Sequence, residues 1–314
     1  MKKNHITKVS KKKIWLAGHN GLVGRSLLKI LKKNNYNVLH KSSKILDLRN
    51  KTRVFNFLKK HKPDIIIIAA GKVGGILANQ NNPIDFYYDN ISIGNNIIKS
   101  AYDLRIKNLI YFGSSCIYPN NLKRRIVEND LLTGKLEKTN EYYALAKIGC
   151  TKLCQAINKN KNFNYLTVMP CNVYGNYDNF DRNNSHVMAS LIRKFIEAKK
   201  NKKNSVKIWG TGKPLREFIY VDDLSRAIIK ILHKKPAYDI INIGVGDDVS
   251  IKNLAQIISK ITSFSGKLVF DRSKPDGTYR KLLNNERIKS LGWKAEFNLE
   301  RGIQNVVNWY LKNK

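Results

Sequence analysis

Lys13-Ile14-Trp15-Leu16-Ala17-Gly18-His19-Asn20-Gly21-Leu22-Val23-Gly24 decides how the chain is read. A short apolar run, KIWLA, reads as a strand, and three glycines spaced G-x-x-G-x-x-G follow it directly. Leu22 to Lys33 then continues with the apolar spacing of an amphipathic helix. A glycine-rich turn between strand and helix brings backbone N–H groups and the positive end of the helix to one point, where a pyrophosphate fits. The competing reading is a tight turn that uses glycine for steric reasons alone, and the flanking strand and helix weigh against it.

Outward from this block, strand-like runs alternate with helical ones. Asn37 to His40, Asp64 to Ala70, Asn108 to Phe112, Tyr165 to Met169 and Ile240 to Ile243 read as strands. Pro83 to Leu104, with proline in the first turn, and Asn140 to Asn158 read as long helices. The alternation predicts an α/β fold, a doubly wound, Rossmann-like parallel sheet covered on both faces. After Tyr174 an Asn-rich stretch, Gly175 to Ser185, suits a loop or a crossing into a second, smaller C-terminal module for substrate. The expected division is a cofactor unit over 13–174, completed by 216–246, and a substrate unit over 175–215 and 247–314. Within the latter, Lys199 to Lys203 reads as a solvated loop, Lys267 to Phe270 as a strand and Leu282 to Trp293 as a helix. Residues 1–12 hold five lysines and no acid, a composition that favours disorder.

Composition excludes several classes. The chain has 314 residues, 42% hydrophobic and 26% charged, within the globular range. Its longest apolar stretch, Ile65 to Ala70, is far short of a membrane span, and no secretory leader is read at the N-terminus. Cys116, Cys150, Cys154 and Cys171 are too scattered for a disulfide framework, so the reducing cytoplasm is the expected compartment. Cys150 and Cys154, at i and i+4, read as helix packing, and no metal site is expected. Lys and Arg outnumber Asp and Glu by 58 to 23, a net charge of +35 that would attract any polyanion. The chain is also rich in Asn and Ile, which suits an AT-rich coding bias that scatters lysines over every face. Nucleic-acid binding is therefore the weaker reading.

Tyr143-Ala144-Leu145-Ala146-Lys147 puts a phenol and an ammonium on one helix face, where the cation would favour the phenolate. Gly113-Ser114-Ser115-Cys116 follows a strand, at the carboxyl edge where doubly wound sheets bind ligands. If the chain stays extended there, Ser114 and Cys116 share a side. A Ser114 hydroxyl beside Tyr143 could support a developing oxyanion, and a Ser-rich turn with a buried cysteine is the plain alternative. At the end of the second strand, His40-Lys41-Ser42-Ser43-Lys44 carries no carboxylate. Lys41 and Lys44 would welcome a 2′-phosphate, which favours NADP(H) over NAD(H). Asp47, before Leu48, can cap a helix, and the pair also resembles the Asp-Leu pair that lies near the adenine in short-chain dehydrogenase/reductases.

These blocks, with Asp89-Asn90-Ile91-Ser92-Ile93-Gly94-Asn95, resemble the extended short-chain dehydrogenase/reductases that act on nucleotide sugars. Ala70-Gly71-Lys72-Val73-Gly74-Gly75-Ile76, Gly113 to Pro119, Asp178-Asn179-Phe180 with Asn184-Ser185-His186-Val187, and Lys274 to Thr278 are similar to the GDP-L-fucose synthase family within them. The resemblance runs from about Lys12 to the C-terminus. It implies NADPH-dependent 3,5-epimerisation and 4-keto reduction of GDP-4-keto-6-deoxy-D-mannose by a homodimer. It further implies that Cys116 and His186 are the base and acid, and that Tyr143, Lys147 and Ser114 serve the C4 oxygen. Gly18, His19, Asn20, Gly21, Leu22, Val23, Gly24, Lys41, Lys44, Asp47, Ala70, Gly71, Lys147, Pro170, Asn172, Val173 and His186 would hold the cofactor. Lys194, Trp209, Arg216 and Asp276 would hold the GDP-sugar. The block Arg216 to Asp223 resembles one seen across the superfamily, a strand leading into a helix capped by the aspartate pair. Two positions depart from the family. Lys194 stands where arginine is frequent, and Asn20 where some relatives are basic, which leaves the 2′-phosphate to Lys41 or Lys44. Another nucleotide-sugar epimerase or dehydratase is the main alternative, followed by a basic, non-enzymatic nucleic-acid binder.

Overall fold

The computed structural model describes residues 12–182 and 184–314. Of the basic segment read as residues 1–12, residues 1–11 lie outside the described part.

Six parallel strands form the central sheet in the spatial order β2-β1-β3-β4-β5-β10. They are β1 (Lys13–Ala17), β2 (Asn37–Leu39), β3 (Ile65–Ile68), β4 (Asn108–Phe112), β5 (Asn164–Pro170) and β10 (Ile240–Ile243). Between the last two run β6 (Asn172–Tyr174), β7 (Ser205–Trp209), β8 (Leu215–Arg216) and β9 (Phe218–Tyr220). β3 is four consecutive isoleucines, all buried, as expected of a strand covered on both faces.

In β1 the side chains alternate between the two cores. Ile14 and Leu16 join Leu27 and Leu31 of α1 (Leu22–Lys33) and Leu224 and Ile228 of α7 (Val221–Lys234). Trp15 and Ala17 join Val54 and Leu58 of α2 (Lys51–His61), Ile97 and Ile98 of α4 (Pro83–Asp103), and Cys150 and Cys154 of α5 (Glu141–Asn158). Both of those cysteines are fully buried and free, as helix packing requires. Asn50 caps α2 by accepting from Arg53 N–H, and Pro83 opens α4, where a missing N–H costs nothing. The short α3 (Ile76–Asn81) lies between β3 and α4.

A third core gathers Phe195 of α6 (Val187–Lys200), Ile208, Leu254 and Ile258 of α8 (Ile251–Thr262), and Val306 of α10 (Leu299–Asn313). Over it, β7 pairs with β12 (Lys267–Asp271), and β8 lies between β11 (Val249–Ser250) and β13 (Arg280–Lys281). α9 (Glu286–Ser290) packs beside β10.

Several sequence expectations are corrected. The helix read over Leu282 to Trp293 shrinks to α9. Leu283 instead bridges to Ile126 and donates its N–H to Glu217, Asn285 donates its side-chain amide to Gly244 O, and Gly292 ends the segment at φ 77°. Of the stretch Lys199 to Lys203, the first two residues finish α6 and only the rest turn away. The aspartate pair does not cap α7 but lies within its first turn: Tyr220 is the N-cap residue, and Asp223 is wholly buried. Its carboxylate accepts from Glu296 N (2.8 Å) and Phe297 N (3.0 Å) and pairs with Arg226, tying the C-terminal segment to α7. The strand expected over Asp64 to Ala70 narrows to β3, freeing Ala69 to Gly71 for the sheet edge.

Candidate active site

The segments after β1, β3, β4 and β5 all emerge at one edge of the sheet. After β1, Gly18 adopts φ 89°, a backbone conformation that side chains rarely adopt, with Ala70 pressed against it. A Cβ on Gly24 would overlap Gly18 O, so α1 can begin this close to β1 only with glycine there. The result is a concave turn walled by Ala70, at the N-terminus of α1, suited to a dinucleotide pyrophosphate. This is a cradle that a Cβ would fill, and the residues present fit NADP(H).

Around the end of β2 the picture is less uniform. Lys41 and Lys44 are exposed beyond the strand. His40 lies against His19 with ring centroids 4.4 Å apart and the planes tilted by 39°, and burial, then His40 and Arg25, pushes His19 below the usual imidazole value. Arg25 donates from Nε to Asn20 O at 2.9 Å, adding a guanidinium that the sequence reading overlooked. Asp47 caps no helix. It is held by Arg49, whose Nη2 lies 2.9 Å from Oδ2 and whose other arm reaches Asp89, and this pairing draws the Asp47 carboxyl down.

Deeper in, Lys147 is buried and donates from Nζ to Phe112 O at 2.8 Å. Burial lowers its pKa to about 8. The expectation that Lys147 favours the Tyr143 phenolate does not hold, because burial dominates and pushes the phenol up, followed by the proximity of Cys116. A hydrogen bond with Ser114 only partly offsets this. Tyr143 is therefore held as a neutral phenol, a proton donor. The expectation of an extended Ser114–Cys116 segment is also corrected. Residues 115–117 form a 3-10 turn, in which Ser114 Oγ accepts from Cys116 N at 3.2 Å. The turn sends Cys116 into the adjoining cleft, where Asn140 Nδ2 approaches its sulfur at 3.3 Å.

That cleft, a cavity of about 300 Å³, is lined by Cys116, His186, Lys194, Trp209, Arg216 and Asp276, joining residues far apart in sequence. His186 is open to the cleft yet surrounded by protein, and this desolvation pushes its pKa down. Lys194 and Lys274 each lie 5.6 Å from the Trp209 ring, a cation on an aromatic surface. Arg216 is held by Leu215 O (2.8 Å) and Asp276 O (3.3 Å). The Asp276 carboxylate is occupied by Thr211, from both N–H and Oγ1, so it shapes the wall as well as facing the cleft. Glu137 and Thr278, also missed in sequence, meet across the cleft at 2.8 Å. Among the described residues, no group of three or more His, Cys, Asp or Glu could hold a metal ion, and no helix is long and apolar enough to cross a membrane.

The parallel sheet, the glycine turn and a Tyr/Lys/Ser set at its edge define a Rossmann-type nucleotide-dependent enzyme. The chain belongs to the NAD dependent epimerase/dehydratase family, whose model matches residues 14–244. It is 44% identical to GDP-L-fucose synthase 1 of Arabidopsis thaliana over 96% of this chain and 94% of that protein. It is 43% identical to GDP-L-colitose synthase of Yersinia pseudotuberculosis, over 96% and 99%. The NADP-bound crystal structure of a GDP-L-fucose synthetase from Naegleria fowleri superposes with a TM-score of 0.87 at 30% identity, covering 98% of this chain and 95% of that one.

Proposed function

We propose that the protein converts GDP-4-keto-6-deoxy-D-mannose into GDP-L-fucose, epimerising C3 and C5 and reducing the C4 ketone at one site with NADP(H). The observation that carries this reading is the convergence of Cys116 and His186 with Lys194, Trp209 and Arg216 on one cleft beside Tyr143. Epimerisation beside a ketone needs one group to take the C3 and C5 protons and another to return them, and the thiol and the imidazole meet that need. Resemblance to the synthases supports the substrate.

In this reading Gly18 to Gly24, Ala70, Gly71, Lys147, Pro170, Asn172 and Val173 hold the cofactor, with Arg25, Lys41 and Lys44 toward its 2′-phosphate. When bound, NADPH supplies the hydride for C4. The C4 carbonyl acidifies the protons on C3 and C5; Cys116 Sγ removes them and His186 returns protons on the other face. Having given up a proton, His186 must regain one, and its position open to the cleft allows this. Tyr143 Oη and Ser114 Oγ hold the C4 oxygen, and Tyr143 gives it a proton on reduction. Lys194 and Arg216 offset the diphosphate charge, and Trp209 walls the nucleotide.

Residues 13–174 with 216–246 act as the cofactor unit, and 175–215 with 247–314 as the GDP-sugar unit. α4 and α5 pack together and expose Ile84, Tyr88, Tyr142 and Leu145, a face suited to homodimer formation in a cytoplasmic enzyme. Nucleic acid has no part in this reading; tight duplex DNA binding that survives physiological salt would bring it in.

The test is to mix the protein with NADPH and GDP-4-keto-6-deoxy-D-mannose and identify the sugar formed. Cofactor oxidation with GDP-L-fucose as product is expected. Oxidation yielding another sugar would keep the reductase and change the substrate, whereas no oxidation by folded protein would refute the reading.

A further inference from the structure

Asn140 occupies the N-cap position of α5, where an asparagine side chain ordinarily accepts a hydrogen bond from the helix backbone. Here it makes no such bond. Its Oδ1 is buried with no hydrogen-bond partner, and its Nδ2 lies 3.3 Å from Cys116 Sγ, the one polar contact of the side chain among the described residues. The side chain has thus been diverted from helix capping, at a cost in local stability, to serve a sulfur atom. The backbone makes the aim reproducible: residues 138–140 form a 3-10 turn closed by Asn140 N donating to Glu137 O. Cys116 is fixed from the other side by Ser114 Oγ on its backbone N–H.

An amide N–H pointed at sulfur interacts more strongly with a thiolate than with a thiol, because hydrogen bonds to a charged acceptor are the stronger ones. We propose that Asn140 is a positioning residue that orients the Cys116 sulfur and stabilises its thiolate, readying it to take a proton from the sugar. This deepens the assignment of Cys116 as base and rests on it. In the step itself the thiolate lone pair forms an S–H bond while the C–H pair moves into the enolate, so no further reactant is needed. The amide stays neutral throughout.

The test uses the full-length protein and iodoacetamide, with Cys116→Ser as the control for labelling elsewhere, since the other three cysteines are buried. Asn140→Asp, nearly the same shape, replaces the donor with a like charge; Asn140→Ala removes it. At about pH 7 alkylation of Cys116 should slow by about ten-fold in Asn140→Asp and by a smaller factor in Asn140→Ala, as loss of a hydrogen bond to a charged acceptor implies. At about pH 9.5, where thiols are ionised, the three rates should converge. Unchanged rates at the lower pH, or an equal drop at both, would overturn the proposal, the second because it reports access rather than ionisation. Solvent-deuterium incorporation at C3 and C5, measured on the same variants, should fall with the alkylation rate. If alkylation changes as expected and incorporation does not, the coupling stands and Cys116 is not the base.

Discussion

The two walls of the cleft are built by different means. On the sheet side, Ser114, Tyr143 and Lys147 sit on or beside β4 and α5, with Lys147 4% exposed and its ammonium fixed on a strand carbonyl. On the other side, Trp209 is 41% exposed and is flanked by the ammonium groups of Lys194 and Lys274. The groups assigned to the C4 oxygen are held still by the core, whereas the aromatic wall across the cleft stands open to a ligand. The first wall should therefore be intolerant of change and the second graded.

Tyr143→Phe offers the severest test of that contrast. Removing the proton donor should lower the reduction rate by about 10³-fold, while GDP-sugar affinity, measured by calorimetry, stays near wild type. Comparable losses in both would blur the two walls into one. Cys116→Ser should cut solvent-deuterium exchange at C3 and C5 by about 10²-fold, and unaltered exchange in that variant would remove the thiol from the reaction. Arg216→Met should act in KM, raising it by about ten-fold or more, as loss of charge-assisted hydrogen bonds implies, with little change in kcat.

Lys147→Met sharpens the comparison through stability. The unfolded lysine keeps its proton up to about pH 10.4, whereas the folded one releases it near 8. Between these values the unfolded state binds more protons, so Lys147 makes stability rise with pH by at most about 1.4 kcal/mol per unit. Below about pH 8 it is a net cost to the fold. Denaturant titrations of the cofactor-free protein at pH about 8 and 9.5 should show this rise in wild type and lose it in Lys147→Met, which should be the more stable protein at neutral pH and inactive. The smallest effect belongs to Trp209→Ala, an increase of only several-fold in the Kd of GDP, the size of an exposed cation–aromatic contact.

Much of the sheet side was legible because apolar spacing and glycine punctuation are local signals. β1, α1, β4 and β10 begin and end as the sequence reading places them. The shortened α9 was not legible: its flanks are claimed by Ile126, Glu217 and Gly244, partners between about 40 and 160 residues away, and no local pattern carries that information. Asn140 escaped notice for a similar reason. Thr139-Asn140 reads as an ordinary helix start, and only the fold shows the amide turned toward a sulfur 24 residues earlier. The phenol of Tyr143 was misjudged because spacing reveals a nearby cation but not the depth of burial that outweighs it.

The last strand of the central sheet, β10, comes seventy residues after β5, its neighbour. α7, which comes just before β10, is farther still from its partner α1: Ser26 Oγ joins Asp222 and Ser225, each at 2.7 Å, across nearly two hundred residues. A chain emerging from the ribosome must therefore expose the edge of β5 and the outer face of α1 until about three-quarters of it has been made. Truncated products of this gene would present a bare, apolar strand edge, the form in which chaperones and proteases would meet them.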